Sequence, residues 1–384
     1  MTDQSQSRRD LNLISLSIFF WGMGESMFLI FQPLYLQRLG ASPVKIGTIL
    51  SINFLAMAIS HIPVGLLSDR VGRRPLLWIS WFTGTFATLL MALANSLGLF
   101  ITGLFFYTLT GSVIAPTNGY ISNARGDWSV GRALSFFMGM FGAGSTIGPM
   151  IGGLLADRFS LREVYFFALG IFVISTLIVL FIRDQAVTPA AREHTPFSVL
   201  RNRAFVWTLA GIFLLSFSSY LPFPLSATFL ENERGLLLTQ IGQLGTLGNA
   251  SVMLLNLILG RLDPMSAFIL AQTGMLLFAG LISRGNQMLW YALAFLFSAG
   301  YRVVSAMSPA LVRPMVPDAR LGFAFGILEA VRASAHALAP IAAGLLYDAS
   351  PQSMYSVSLG LGGAVLMGLI FLHLRRQKTS QVEL

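Results

Sequence analysis

The 384-residue chain is 55% hydrophobic and 11% charged, with a mean hydropathy of +0.71, no cysteine and a net charge of +9. Soluble domains carry about 25% charged residues, so the composition excludes a water-soluble enzyme and a disordered chain, and the missing cysteines exclude disulfides and thiolate chemistry. Twelve spans of about 20 residues would use about 240 positions, leaving short loops and almost nothing outside a bilayer.

The apolar segments fall at 11–36, 44–66, 76–95, 98–120, 133–156 and 163–183, then at 204–228, 238–260, 265–283, 287–309, 321–347 and 354–374. The first follows Arg8 and Arg9, is too long for a signal-peptide core, and reads as a span that doubles as the targeting signal. With both termini on one side, that side holds 17 Lys and Arg against 9 acids, the other side 6 against 5, and the interior 2 against 2. A basic excess in short loops marks the cytoplasmic face. The expectation is therefore a multi-pass protein of a bacterial cytoplasmic membrane with both termini inside. The basicity needs no nucleic acid as partner.

Equivalent residues recur along the chain. Gly47 and Gly65 correspond to Gly242 and Gly260 at an offset of 195; Gly131, Pro149, Gly153 and Asp157 correspond to Gly322, Pro340, Gly344 and Asp348 at 191. An even number of spans separates equivalent points, so the halves share one orientation, an arrangement known among secondary transporters. The expected fold is an all-α membrane protein with twelve transmembrane helices in two six-helix bundles. The N-terminal bundle takes residues 1–183, a cytoplasmic linker 184–203, and the C-terminal bundle 204–384.

Two segments are distinctive. The loop after the second span reads Gly65-Leu66-Leu67-Ser68-Asp69-Arg70-Val71-Gly72-Arg73-Arg74-Pro75, with a turn glycine, a capping acid and a basic cluster. The fifth span carries Gly144-Ser145-Thr146-Ile147-Gly148-Pro149-Met150-Ile151-Gly152-Gly153, small residues that let helices approach and a proline that bends one.

In residue order the loop resembles the signature loop of the major facilitator superfamily, between its second and third helices. The fifth-span run is similar to the glycine-proline motif of that superfamily's antiporters, and close helix packing alone also explains it. The resemblance covers essentially the whole chain. It implies alternating access around a mid-membrane cavity lined by helices one, four, seven and ten, with Gly65, Asp69, Arg70, Gly72 and Arg73 in gating. Gly144, Gly148, Pro149, Gly152, Gly153, Pro340 and Gly344 are assigned to helix packing. One departure stands out: the family's drug antiporters usually carry an arginine in the fourth span, four residues before a glycine matching Gly111, and here that position is Tyr107.

Four ionisable residues fall inside spans: Glu25, Arg302, Glu329 and Arg332. Such residues usually face a cavity or a partner. Glu25 shares a helical face with Trp21 and Gln32, and is read as proton-responsive or cation-binding, against a static salt bridge. Arg302 either binds an anionic group or neutralises Glu25. Glu329, Arg332 and His336 share a face; Glu329 and Arg332 can pair within their helix, and His336 can join a proton relay or simply pack. Proton-coupling candidates are thus Glu25, Glu329 and His336. Cavity candidates are Glu25, Gln32, Asn118, Tyr220, Arg302 and Arg332, with Ser216 and Ser219 beside Tyr220.

No metal-ligand spacing, nucleotide loop or other enzyme signature is present, so no metal or cofactor is expected. The leading expectation is a monomeric secondary transporter in the lipid bilayer, exchanging protons for amphipathic or hydrophobic small molecules in efflux. The alternative is a symporter or uniporter for a polar or anionic metabolite. A non-transporting sensor or scaffold is a third reading, disfavoured by the near-absence of a soluble domain.

Overall fold

The computed structural model describes residues 2–185, 201–259, 262–316 and 321–382; most of the expected linker lies outside them. Among the described residues there is no strand. The helices are α1 (Thr2–Leu29), α2 (Gln32–Arg38), α3 (Pro43–Val71), α4 (Arg73–Leu93), α5 (Leu97–Leu109), α6 (Ile114–Asn123), α7 (Val130–Arg158) and α8 (Leu161–Val179). The second series is α9 (Arg203–Tyr220), α10 (Ser226–Asn232), α11 (Leu238–Leu259), α12 (Pro264–Arg284), α13 (Met288–Phe297), α14 (Gly300–Val312), α15 (Leu321–Ala349) and α16 (Ser353–Val382).

Each of the twelve expected spans is present as a helix or a broken helix. Among the described residues nine segments are long and apolar enough to cross a membrane, or ten with the α1–α2 pair, which bends by 45°. The breaks follow a rule. They interrupt the first span (α1/α2, at Ile30-Phe31, just before Pro33), the fourth (α5/α6, through a 3-10 turn at Thr110–Val113), the seventh (α9/α10, at Pro222 and Pro224) and the tenth (α13/α14, at Ser298). Proline removes an amide donor and clashes with the preceding turn, which accounts for the first and seventh. Gly40 and Gly235, 195 residues apart, follow α2 and α10 with φ of 90° and 67°, a left-handed conformation that suits glycine.

The chain forms two compact units: Met1–Ala41 with Ile52–Ala191 and Leu236–Thr246, and Ser42–Ser51 with Arg192–Gly235 and Leu247–Leu384. In the first, α1 packs on α7 through three glycines one turn apart. A Cβ on Gly144, Gly148 or Gly152 would overlap the α1 backbone at Phe19, Met23 or Met27. The Trp81 indole donates to Ser17 Oγ at 2.8 Å and Ser175 Oγ at 3.0 Å, tying α4 to α1 and α8. In the second unit Gln272, which follows Trp81 by the same 191 residues, does an equivalent job. Its Oε1 accepts from Ser219 Oγ at 2.7 Å and its Nε2 donates to Gly362 O at 3.2 Å, joining α9, α12 and α16.

The exchanged segments obey the repeat. In the first unit the opening of α11 lies on α7: Met150 N donates to Thr246 Oγ1 at 3.1 Å, Gly242 meets the Pro149 carbonyl, and Gly153 meets Leu238 O. Asp157 caps the helix, accepting from Leu238 N at 3.1 Å and Thr239 N at 2.7 Å. In the second unit the opening of α3 lies on α15 in the same way. Ile341 N donates to Ser51 Oγ at 3.1 Å, Gly47 meets the Pro340 carbonyl, and Gly344 meets Pro43 O.

Candidate functional site

The broken spans carry most of the polar residues singled out by sequence. Glu25 and Gln32 lie on the first, Asn118 on the fourth, Tyr220 on the seventh and Arg302 on the tenth. Breaking a helix frees backbone groups at membrane depth, which is tolerated where they line a cavity or are buried in protein, and discontinuous helices recur at transporter binding sites.

In the first unit Glu25 is half-buried on α1, beside the Tyr107 side chain of α5, which also neighbours the Trp21 indole. The Trp21 and Tyr107 rings stack with centroids 6.1 Å apart and planes 11° apart. Trp21 also meets Trp81 at 5.2 Å and Phe172 at 4.5 Å. Glu25 thus projects from an aromatic wall. Gln32 is buried at the start of α2, and the Asn118 Oδ1 is buried without a hydrogen-bond partner.

In the second unit Tyr220, Tyr301 and His336 converge from three helices. Tyr220 lies 4.8 Å from the His336 ring and 5.3 Å from Tyr301; Phe223, in the α9/α10 break, lies 5.1 Å from Tyr301. Arg302 Nε donates to the Tyr301 hydroxyl at 2.8 Å. One turn before His336, Arg332 Nη1 sits 2.5 Å from Glu329 Oε1; the arginine side chain is 13% exposed and the glutamate 60%. The pair is therefore lopsided, with its cation in the helix packing and its anion outward.

Two sequence expectations are revised here. Ser219 does not line a polar surface beside Tyr220: it is fully buried and spends its hydroxyl on Gln272. Ser216 is also buried, 2% exposed. Ser219 thus lies in the α9–α12 seam, while Tyr220, at the helix end, turns toward Tyr301. His61 faces the Ser112 carbonyl, with Nδ1 at 3.3 Å, as a packed residue would.

Of the loop residues, Gly72 caps α4 with φ 86°, Arg73 Nη1 donates to Gly119 O at 2.8 Å on α6, and Arg70 is exposed. The surroundings of Gly65 and the Asp69 side chain lie outside what is described. Sequence reasoning did not find Tyr301, Phe223 or Tyr165. Tyr301 had a local signal, since it precedes the intramembrane Arg302; the others are aromatic residues in apolar runs that nothing distinguishes from core.

A helical multi-pass fold whose broken spans carry an acid, an arginine and clustered aromatic side chains within the membrane has the make-up of a membrane transporter. The family follows from residues 14–279, which match the model of the Major Facilitator Superfamily; the chain belongs to that superfamily. Among curated proteins it is 30% identical over 196 residues to the multidrug resistance protein MdtG of Citrobacter koseri, covering 49% of this chain and 47% of that protein. It is 32% identical over 192 residues to MdtG of Enterobacter lignolyticus, covering 48% and 46%. The chain thus spans about half the length of the curated relatives it matches. Among solved structures, the nucleoside transporter NupG superposes with a TM-score of 0.77 at 13% identity, over 96% of this chain and 99% of that one. The human organic anion transporter MFSD10 gives 0.64 at 17% identity, over 94% and 99%. Those two likenesses concern the fold alone.

Proposed function

We propose that this protein is a secondary active transporter of a bacterial cytoplasmic membrane, with both termini cytoplasmic, that exports amphipathic small molecules in exchange for protons by alternating access. The observation that carries the reading is Glu25: an acid on a broken membrane helix, set among Trp21, Tyr107 and Phe172, with no arginine at the fourth-span position. A carboxyl in an aromatic wall can be neutralised by a proton or by a lipophilic cation, so the two compete for the same group. The partial likeness to MdtG, described as a multidrug resistance protein, supports the same substrate class. Within the second unit Tyr220, Phe223, Tyr301 and His336 form an aromatic surface of a kind that holds flat apolar groups. The loop from Gly65 to Arg73 serves gating, and the glycines of α7 serve packing.

The test is ethidium accumulation driven by an imposed pH gradient in reconstituted vesicles. Glu25→Gln is expected to abolish the gradient dependence in a folded protein; undiminished coupling in that variant refutes the assignment. A second reading, transport of a polar or anionic metabolite, draws on Arg302, whose guanidinium is oriented by Tyr301. In that case Arg302→Ala removes binding of the anion.

A further inference from the structure

The first unit contains a line of tyrosines that the packing does not explain. At the end of the first span remote from the N-terminus, Tyr35 of α2 lies beside Arg162 and Glu163 at the start of α8. Its ring is 5.3 Å from that of Tyr165. Tyr165 stacks on Phe28 at 4.9 Å, and Phe28 meets the edge of Tyr107 at 5.3 Å. Tyr107 in turn lies beside Glu25. Tyr165 and Tyr107 are 2% and 6% exposed; the Tyr165 hydroxyl has no hydrogen-bond partner, while the Tyr107 hydroxyl faces Glu25 and the Trp21 indole. A buried hydroxyl left unpaired loses its hydration with nothing in return, and phenylalanine would fill the Tyr165 place without that cost. An unpaired hydroxyl in an aromatic wall that ends, through Tyr107, at a membrane acid calls for a role or for water.

We propose that the Tyr35, Tyr165 and Tyr107 hydroxyls, bridged by water, form the route by which protons reach Glu25 from the end of the unit marked by Glu163. The route rests on the proton-responsive reading of Glu25. A phenol hydroxyl accepts a proton on a lone pair and releases its own on the other side, so each transfer leaves the tyrosine unchanged and needs no co-reactant. Phe28, Phe100 and Phe172 surround the line and confine it. The charged groups around it are Arg162 and Glu163 of α8 at its mouth and Glu25 of α1 at its end. An arginine at position 107 would repel an arriving proton; a tyrosine passes it on.

The test uses the protein tethered through an N-terminal tag and embedded in a bilayer, so that the Tyr35 end faces bulk buffer, with surface-enhanced infrared detection. After an acid jump, the carboxyl band that Glu25→Gln removes is expected to rise. Tyr165→Phe and Tyr35→Phe keep the rings and remove the hydroxyls; each is expected to slow that rise about tenfold or more, with the final amplitude unchanged. Circular dichroism checks the fold, and Tyr35→Phe at the periphery carries the test where Tyr165→Phe is unstable. Wild-type rates in the folded hydroxyl variants overturn the route while leaving Glu25 as a titrating acid. Absence of any band assignable to Glu25 overturns the route together with the reading on which it rests.

Discussion

The Met150 amide donates to the Thr246 hydroxyl at 3.1 Å, one residue past a proline in α7. Its repeat partner, the Ile341 amide, donates to Ser51 at the same distance, one residue past a proline in α15. The two bonds preserve both sequence offsets, 191 for the proline helices and 195 for the helices that supply the hydroxyl. Close approach at Gly242 and Gly47 brings each hydroxyl within reach. We expect Thr246→Val and Ser51→Ala each to destabilise the detergent-solubilised protein by about 0.5–1.5 kcal/mol, read as lowered thermal midpoints. Because the sites lie in separate units and share no partner, the double variant is expected to be additive.

The glycines of α7 differ from one another in what surrounds them. Gly148→Leu drives a side chain into Ser26 and the Met23 carbonyl, and is expected to abolish folded, monodisperse protein, since backbone cannot yield there. Gly142→Ala and Gly170→Ala meet nothing within 4 Å and are expected to be neutral. Size-exclusion profiles of the three variants make the comparison.

Much of this was readable from sequence, and the reasons are physical. Glycine and proline carry a packing requirement wherever they fall, so Gly153 and Gly344, or Pro149 and Pro340, betray the repeat without any structure. The apolar lengths give the spans because a bilayer imposes them. Polar side chains are less legible, since a helix face does not state its neighbour. Ser219 and Tyr220 are adjacent, yet one is tied to Gln272 and the other faces Tyr301. Tyr107 stood out as a departure from a family pattern, but its place beside Glu25 depends on how α5 packs on α1, which spacing does not encode.

The aromatic surface of the second unit is expected to bind flat lipophilic cations in its own right. Tyr220→Ala removes the ring that touches both Tyr301 and His336. We expect it to weaken tetraphenylphosphonium binding about tenfold, with Tyr220→Phe close to wild type, since the ring matters more than the hydroxyl. Scintillation proximity binding measures both. Equal loss in the two variants would assign the effect to the hydroxyl.

Asp157 caps α11 with two backbone amides, at 3.1 and 2.7 Å. Asp157→Ala is expected to cost about 1 kcal/mol of stability, and Asp157→Asn, which keeps an acceptor, less than half of that. Thermal denaturation in detergent separates the two.

The central claim is that a substrate and a proton compete for Glu25, and the most direct measurement is proton release on binding. Purified protein in weakly buffered solution receives tetraphenylphosphonium while a pH dye is followed. The account predicts release of protons that saturates with binding, and none in Glu25→Gln even though that variant stays folded. Binding with no release in the wild type, or unchanged release in Glu25→Gln, would contradict it.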